Sequence, residues 1–481
     1  MDGCRRTGLI PAMLLISASL LAAAPGPSTG GIGREEFRAR RMALADILRK
    51  ELPPGASGVL MLDSAPEPEN AAYRQESHLY YLTGTEIPES ALVLLFDRPA
   101  GLSGKEAEGG EGRYAEYLYL PERDYSRERW SGARAGAGGL RKETLQPDEE
   151  RRETMAITGF DRLPDGDYPP RGYPRGPVER RSDLTAHLGR FLPDAEVFFH
   201  LAGPGSLSAP LTFDLAFLKQ VREQYPLLAF RDPGPALETM RRLKSPAEVV
   251  LLRRAIEITC QAQRDALRQA RSGMAEYQVQ AVVEYRFTAE GARRPGFPSI
   301  AGSGPNACVL HYDANDGVLK EGDLLLLDVG AEFRRYSADV TRTFPVSGRF
   351  TEEQRKIYDV VLKAQKAAIA VIRPGVPFEE IDRTARKVIT EAGYGPYLVH
   401  GTSHFIGLDV HEGGEASGPL EAGMVLAVEP GIYIMEKEIG VRIEDDVLVT
   451  PEGALILSDC APREADAVEM QRTEGLKTGG R

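Results

Sequence analysis

Three of the seven histidines in this 481-residue chain stand close together, in His400-Gly401-Thr402-Ser403-His404-Phe405-Ile406-Gly407-Leu408-Asp409-Val410-His411. A lone histidine is usually a packed structural residue, whereas three in one glycine-rich segment suggest proton or metal chemistry. Carboxylates recur at the ends of apolar runs. Asp328 terminates the aliphatic stretch Asp323-Leu324-Leu325-Leu326-Leu327-Asp328-Val329-Gly330, where a lone buried carboxylate would be costly. Asp339 follows inside Tyr336-Ser337-Ala338-Asp339-Val340-Thr341-Arg342-Thr343-Phe344, and Met424-Val425-Leu426-Ala427-Val428 runs into Glu429-Pro430-Gly431. In Gly440-Val441-Arg442-Ile443-Glu444-Asp445-Asp446-Val447, alternation puts Arg442 and Glu444 on one strand face and Val441 and Ile443 on the other.

If the charged stretch around Phe333 and Arg334 is a hairpin turn, Asp328 and Asp339 oppose each other directly across it, about 5 Å apart. Carboxylates that close repel unless one is protonated or a cation lies between them. From these two residues alone the plainer reading, a solvated hairpin with surface carboxylates, stands. Adding Glu429, Glu444 and a histidine makes a buried metal centre the economical explanation. Oxygen donors with one imidazole and no thiolate favour Mn2+ or Co2+ over a structural zinc site. The carboxylate count suggests two cations, about 3.5–4 Å apart, holding a hydroxide nucleophile, which makes hydrolysis the expected reaction class.

The elements that must position these groups read as α/β. An amphipathic helix is expected over 34–52, and strands at 58–62 and 91–96 flank the segment Tyr73-Arg74-Gln75-Glu76-Ser77 through Leu82-Thr83-Gly84. Ser245-Pro246-Ala247-Glu248 is a capping box opening a long helix that buries Ile256, Ala262, Ala266 and Ala270 and stops near Gly273. Thr351 and Gln354 form a second box, Pro374-Gly375 closes that helix, and another spans about 378–393. Strands are expected at 324–327, 424–428 and 447–450. Gly101 to Gly112 and Arg162 to Gly176 read as loops.

Composition narrows the class. With 59 Lys plus Arg against 71 Asp plus Glu, the net charge of −12 repels phosphate backbones and anionic membranes, so no nucleic-acid partner is expected. Arg5 and Arg6 before the apolar stretch Leu9 to Ala24 resemble a signal peptide over 1–24, with an uncleaved anchor as the alternative. The protein is expected to be exported to a periplasm or the extracellular space, with no membrane span in the mature chain. Beyond Cys4 in this leader, Cys260, Cys308 and Cys460 are an odd, widely spaced set that does not suggest a disulfide-stapled scaffold.

The motifs around Asp328, Asp339, His400 to Glu412, Val428-Glu429-Pro430-Gly431 and Val441 to Asp445 resemble the pita-bread metallopeptidases, specifically the aminopeptidase P and prolidase family. The resemblance implies a C-terminal pita-bread domain over 244–470, preceded over 34–235 by a smaller α/β domain like the aminopeptidase P N-terminal domain. It implies metal ligands at Asp328, Asp339, His404, Glu429 and Glu444, with Asp339 and Glu444 bridging two ions, Mn2+ first and Co2+ or Zn2+ as alternatives. By the same resemblance, Glu429 handles the proton of the attacking water and His411 supports the oxyanion. His311 and His400 line the substrate site, and Arg442 braces Glu444 or faces the substrate. Glu76 stands where the family often has Asp, which leaves amino-end specificity open.

The implied activity is that of an Xaa-Pro aminopeptidase on proline-containing peptides, in a homo-oligomer (dimer or tetramer). Xaa-Pro dipeptidase (prolidase) is the nearest rival. A catalytically dead pita-bread binding module, or a creatinase-like hydrolase without metal, would be expected to have lost ligands that this chain retains.

Overall fold

The computed structural model describes residues 31–68, 72–97, 114–122, 129, 160, 178–201, 203, 210–413 and 418–478. The expected leader and the loops at 101–112 and 162–176 lie outside the described residues.

The first helix, α1 (Arg34–Arg49), buries Phe37, Leu44 and Leu48. It lies on a sheet containing β1 (Gly58–Asp63), β2 (Ala91–Phe96), β3 (Tyr114–Leu120), β4 (Val178–Arg180), β5 (Val197–His200) and β6 (Ala229–Arg231), in the order β4-β3-β2-β1-β5-β6. Between β1 and β2, α2 (Ser77–Thr83) starts where the Glu76 carboxylate accepts from His78 N and Leu79 N, so Glu76 is a working N-cap. The helices α3 (Leu184–Phe191), α4 (Phe213–Gln224) and α5 (Gly234–Arg242) complete this half.

The second half opens with α6 (Pro246–Gln269). Both bonds of the expected capping box form: Glu248 N donates to Ser245 Oγ at 3.2 Å and Ser245 N to Glu248 Oε2 at 2.9 Å. The helix ends at Gln269, short of Gly273, because Ala270 turns extended (ψ 138°). After α7 (Glu276–Ala289) come short strands β7 (Arg294–Pro295), β8 (Ile300–Ser303), β9 (Leu324–Val329), β10 (Ala331–Phe333), β11 (Tyr336–Ser337) and β12 (Val340–Pro345). Two helices, α8 (Glu352–Val371) and α9 (Glu379–Glu391), cover one side. The chain then adds β13 (Ser403–Phe405), β14 (Val425–Val428), β15 (Gly431–Ile434), β16 (Ile439–Arg442), β17 (Asp445–Thr450), β18 (Gly453–Ile456) and α10 (Ala465–Thr478). These strands form small antiparallel sheets, β12-β9-β8, β13-β14-β17-β18 and β15-β16, packed around one another.

The hairpin register differs from the expected one. The turn residues are Arg334 and Arg335, both at positive φ, so Phe333 faces Tyr336 and Asp328 faces Thr341. Asp339 falls opposite Gly330 instead. The shift is two residues, and an even shift keeps both carboxylates on the same face. Gly330 is required there, because an added Cβ would lie 1.8 Å from the Ala338 carbonyl oxygen.

The cysteines make one bond that the sequence did not point to: Cys260 of α6 and Cys460 form a disulfide across 200 residues of sequence, leaving Cys308 free. A span of that length carries no local pattern. Among the described residues, no helix is long and apolar enough to cross a membrane.

The two halves share a core in which Phe37 and Leu60 join Leu251, Tyr336 and Ile406. Polar ties reinforce it. Arg74 donates to Leu408 O at 2.6 Å, Asp409 Oδ1 at 3.0 Å and Glu332 Oε2 at 3.1 Å. Arg241 donates to Asp409 Oδ2 at 2.6 Å and Glu412 Oε1 at 2.7 Å. The segment 73–84 thus holds, through Arg74 and Ser77, the loop bearing His411.

Candidate metal centre

Four of the five proposed ligands sit at or beside a strand end, and His404 lies within a strand. Asp328 is the penultimate residue of β9 and Asp339 immediately precedes β12. His404 is the middle residue of β13 and pairs with Ala427 of β14; Glu429 follows the end of β14. Glu444 departs from the expected alternation. The chain leaves one sheet after Arg442 and enters another at Asp445, so Ile443 and Glu444 form the crossing rather than a strand face. Glu444 N donates to Thr341 O at 3.1 Å and Thr341 Oγ1 to Glu444 Oε2 at 2.6 Å, which fixes the carboxylate at that crossing.

These positions converge. Ligand atoms of Asp328, Asp339 and Glu444 lie within 4.8 Å of one another, as do those of His404, Glu429 and Glu444. His404 Nε2 is 3.4 Å from Asp339 Oδ2, 3.7 Å from Glu429 Oε1 and 3.9 Å from Glu444 Oε1. Its Nδ1 lies 3.2 Å from Phe405 O, so the tautomer protonated at Nδ1 would direct an Nε2 lone pair at the carboxylates. His411 was not expected among the ligands, yet one of its nitrogens lies within 4.8 Å of the Asp339 and His404 ligand atoms, its ring edge-on to His404 at 4.2 Å.

Electrostatics argue that the cluster needs cations. Four carboxylates face one guanidinium, Arg442, which donates to Asp328 Oδ2 at 2.6 Å. Burial, then Glu444 and Asp328, push the Asp339 carboxyl well above its usual range; burial, then Glu429 and Asp328, do the same to Glu444. Asp328 Oδ1 is buried with no hydrogen-bond partner among the described residues. An orphaned carboxylate oxygen among repelling neighbours fits a hard or borderline divalent cation.

Arg442 braces Asp328, not Glu444, and at 3% exposure it does not face open solvent. Its other contacts expose a residue the sequence reading missed, Tyr433. Arg442 Nη1 donates to Tyr433 Oη at 2.8 Å, so the phenol must turn its own hydrogen to His400 Nε2, also at 2.8 Å. His400 Nδ1–H then donates to Gly401 O at 2.7 Å, and burial pushes the imidazole pKa down, consistent with that neutral form. Gly431 permits the chain of contacts, since a Cβ there would lie 2.4 Å from the Tyr433 oxygen. Nothing in the spacing of Tyr433 marked it.

His311 and His411 are both exposed. Partial desolvation of its ring, then the charges of His404 and His311, push His411 down to about 4.

Residues 37–149 match the aminopeptidase P N-terminal domain, and residues 250–451 match metallopeptidase family M24. The chain is 31% identical to the Xaa-Pro aminopeptidase of Escherichia coli (strain K12), over 91% of this chain and 97% of that one. The chain belongs to the aminopeptidase P family. Its fold matches the crystal structure of aminopeptidase P from E. coli with the inhibitor Pro-Leu at a TM-score of 0.75 and 31% identity, covering 93% of this chain and 100% of that one. An Xaa-Pro dipeptidase from Pyrococcus horikoshii is 37% identical, but over only 57% of this chain and 79% of its own length. As an aminopeptidase P family member the protein is a pita-bread metallopeptidase, with the family's N-terminal domain ahead of it.

Proposed function

We propose that this metallopeptidase removes an N-terminal residue from peptides with proline second, using two divalent ions, Mn2+ first, in an exported protein. The observation that carries the reading is the convergence of Asp328, Asp339, His404, Glu429 and Glu444 around an orphaned carboxylate oxygen. Two ions there would supply Lewis acidity and bring the pKa of water toward neutrality. Asp339 and Glu444, the two most deeply buried carboxylates of this set, would be shared between the ions. Glu429 takes the proton of the attacking water. His411, neutral near pH 7, has an N–H to donate to the scissile carbonyl as negative charge develops. His311 and the Tyr433-anchored His400 flank the substrate.

The chemistry suits an Xaa-Pro bond. That tertiary amide has no N–H and restricts the residue before it, so a site gripping the extended backbone through that donor handles it badly. Here the recognition groups are imidazoles and carboxylates. The N-terminal half, clasped to the His411 loop through Arg74, favours the aminopeptidase over the dipeptidase reading. Turnover of an Xaa-Pro dipeptide and of a pentapeptide sharing its first two residues tests this: the pentapeptide should be cleaved at its first bond, and cleavage of the dipeptide alone would establish a prolidase.

Export is supported by the leader-like segment and by the Cys260–Cys460 disulfide, a bond that persists in oxidising compartments. Amino-terminal sequencing of protein recovered from the periplasm or medium tests it. The dimer or tetramer implied by the resemblance is tested by light scattering.

A further inference from the structure

The N-terminal sheet assembles a second group of donors, far in sequence from the catalytic ligands. Asp63 and His200 are the last residues of β1 and β5, neighbouring parallel strands, and Met61 pairs with His200. Asp63, two residues beyond Met61, therefore projects to the same face as His200. Asp214 lies in the first turn of α4, which packs over that face through Phe217. One ligand atom from each of the three residues lies within 4.8 Å of the others.

His200 supplies an independent observation. It is 4% exposed, stacked on Phe198 at 5.8 Å and edge-on to Phe217 at 5.6 Å. Its Nδ1 lies 2.8 Å from Met61 O, a carbonyl that can only accept, so Nδ1 carries the proton and Nε2 presents a lone pair. Nε2 is buried and has no hydrogen-bond partner among the described residues. An imidazole held by a carbonyl at one nitrogen with the other free is the arrangement by which proteins orient a metal-binding histidine. The local charge is also unbalanced. Asp63 Oδ2 is 3.3 Å from Arg181 Nη2, while burial and the Asp63 charge raise the Asp214 pKa.

We propose that Asp63, His200 and Asp214 bind one divalent transition-metal cation, with water completing its shell and Zn2+ serving as the probe ion. The ion joins the ends of β1 and β5 to the start of α4. Its role is structural, and it is independent of the catalytic reading.

The test uses full-length protein equilibrated with micromolar Zn2+ and passed through a desalting column. Zinc is counted by plasma mass spectrometry in the wild type, His200→Gln and Asp214→Asn. Each variant should hold about one zinc fewer than the wild type while keeping its peptidase activity, because a site with three protein ligands loses most of its affinity with one of them. The Zn2+-induced rise in melting temperature should shrink in parallel. Asp214 is only half-buried, so Asp214→Asn serves if His200→Gln fails to fold. Equal zinc content in the wild type and a folded variant overturns the proposal.

Discussion

Arg442 grips one oxygen of Asp328 at 2.6 Å, and the other is buried without a hydrogen-bond partner among the described residues. The guanidinium thus fixes the orientation of the carboxylate and leaves only that oxygen for a further ligand. The same side chain holds Tyr433 and, through it, His400. Arg442→Lys keeps the charge but cannot span Asp328, Thr341 and Tyr433 together. It should weaken metal affinity on the order of 10- to 100-fold, read by competition with a chelator. Unchanged affinity would show that Asp328 needs no brace.

Asp339→Asn should have opposite effects on the two metal states. In the metal-free protein burial, Glu444 and Asp328 disfavour an ionised carboxyl at this position, so a neutral amide should hold or raise the melting temperature in EDTA. With Mn2+ present it should fall relative to the wild type, and activity should drop by more than the ~10²-fold typical of losing an outer partner. Full turnover by this variant would defeat the dinuclear reading.

The two neighbouring histidines should separate kinetically. His404 lies against three carboxylates, so His404→Ala should lose metal from at least one site. His411→Ala should keep its metal and lower kcat and kcat/KM together, on the order of 10²- to 10³-fold, as for loss of one oxyanion donor. Their 4.2 Å contact makes the experiment necessary, and metal loss confined to His411→Ala would reverse the assignment.

The clasp between the halves should be acid-labile. Burial pushes the Asp409 carboxyl up, but Arg241, Ser77 and Arg74 outweigh it and hold it down to about 2. A carboxyl with a lower pKa folded than unfolded contributes stability above about pH 4 and loses it as pH falls toward 2. Asp409→Asn should therefore lower the melting temperature at pH 7 by roughly 2–4 °C. That difference should narrow below pH 4; a constant gap from pH 7 to pH 3 would contradict the titration.

Asp328 and Glu429 were legible because each ends an apolar run, a pattern that a buried charge imposes on its neighbours, whereas His404 stood out in a histidine-rich segment and the full ligand set came from the family resemblance. The helix starts at Ser245 and Thr351 were legible for a similar reason, since a cap is a local hydrogen-bond circuit. What escaped depended on contacts across the fold. The hairpin register turned on Arg334 and Arg335 accepting positive φ, where the charged stretch suggested a turn centred one residue earlier. The sheet crossing at Glu444 hid behind regular alternation. Tyr433 gained its place from Arg442, and Arg74 from Asp409, a partner more than three hundred residues away. The second histidine-and-aspartate group likewise forms only when β1, β5 and α4 meet.

The Cys260–Cys460 bond closes a covalent ring, and Asp328, Asp339, His404, Glu429 and Glu444 all lie inside it. A protease that cuts an exposed loop once between these cysteines cannot release either half. The nicked molecule stays one covalent body, with every ligand tethered to its partners on both sides of the cut. A clipped sample would run at full length on a non-reducing gel and as two fragments after reduction. The ring therefore gives the molecule a means of surviving a single cut with its centre assembled.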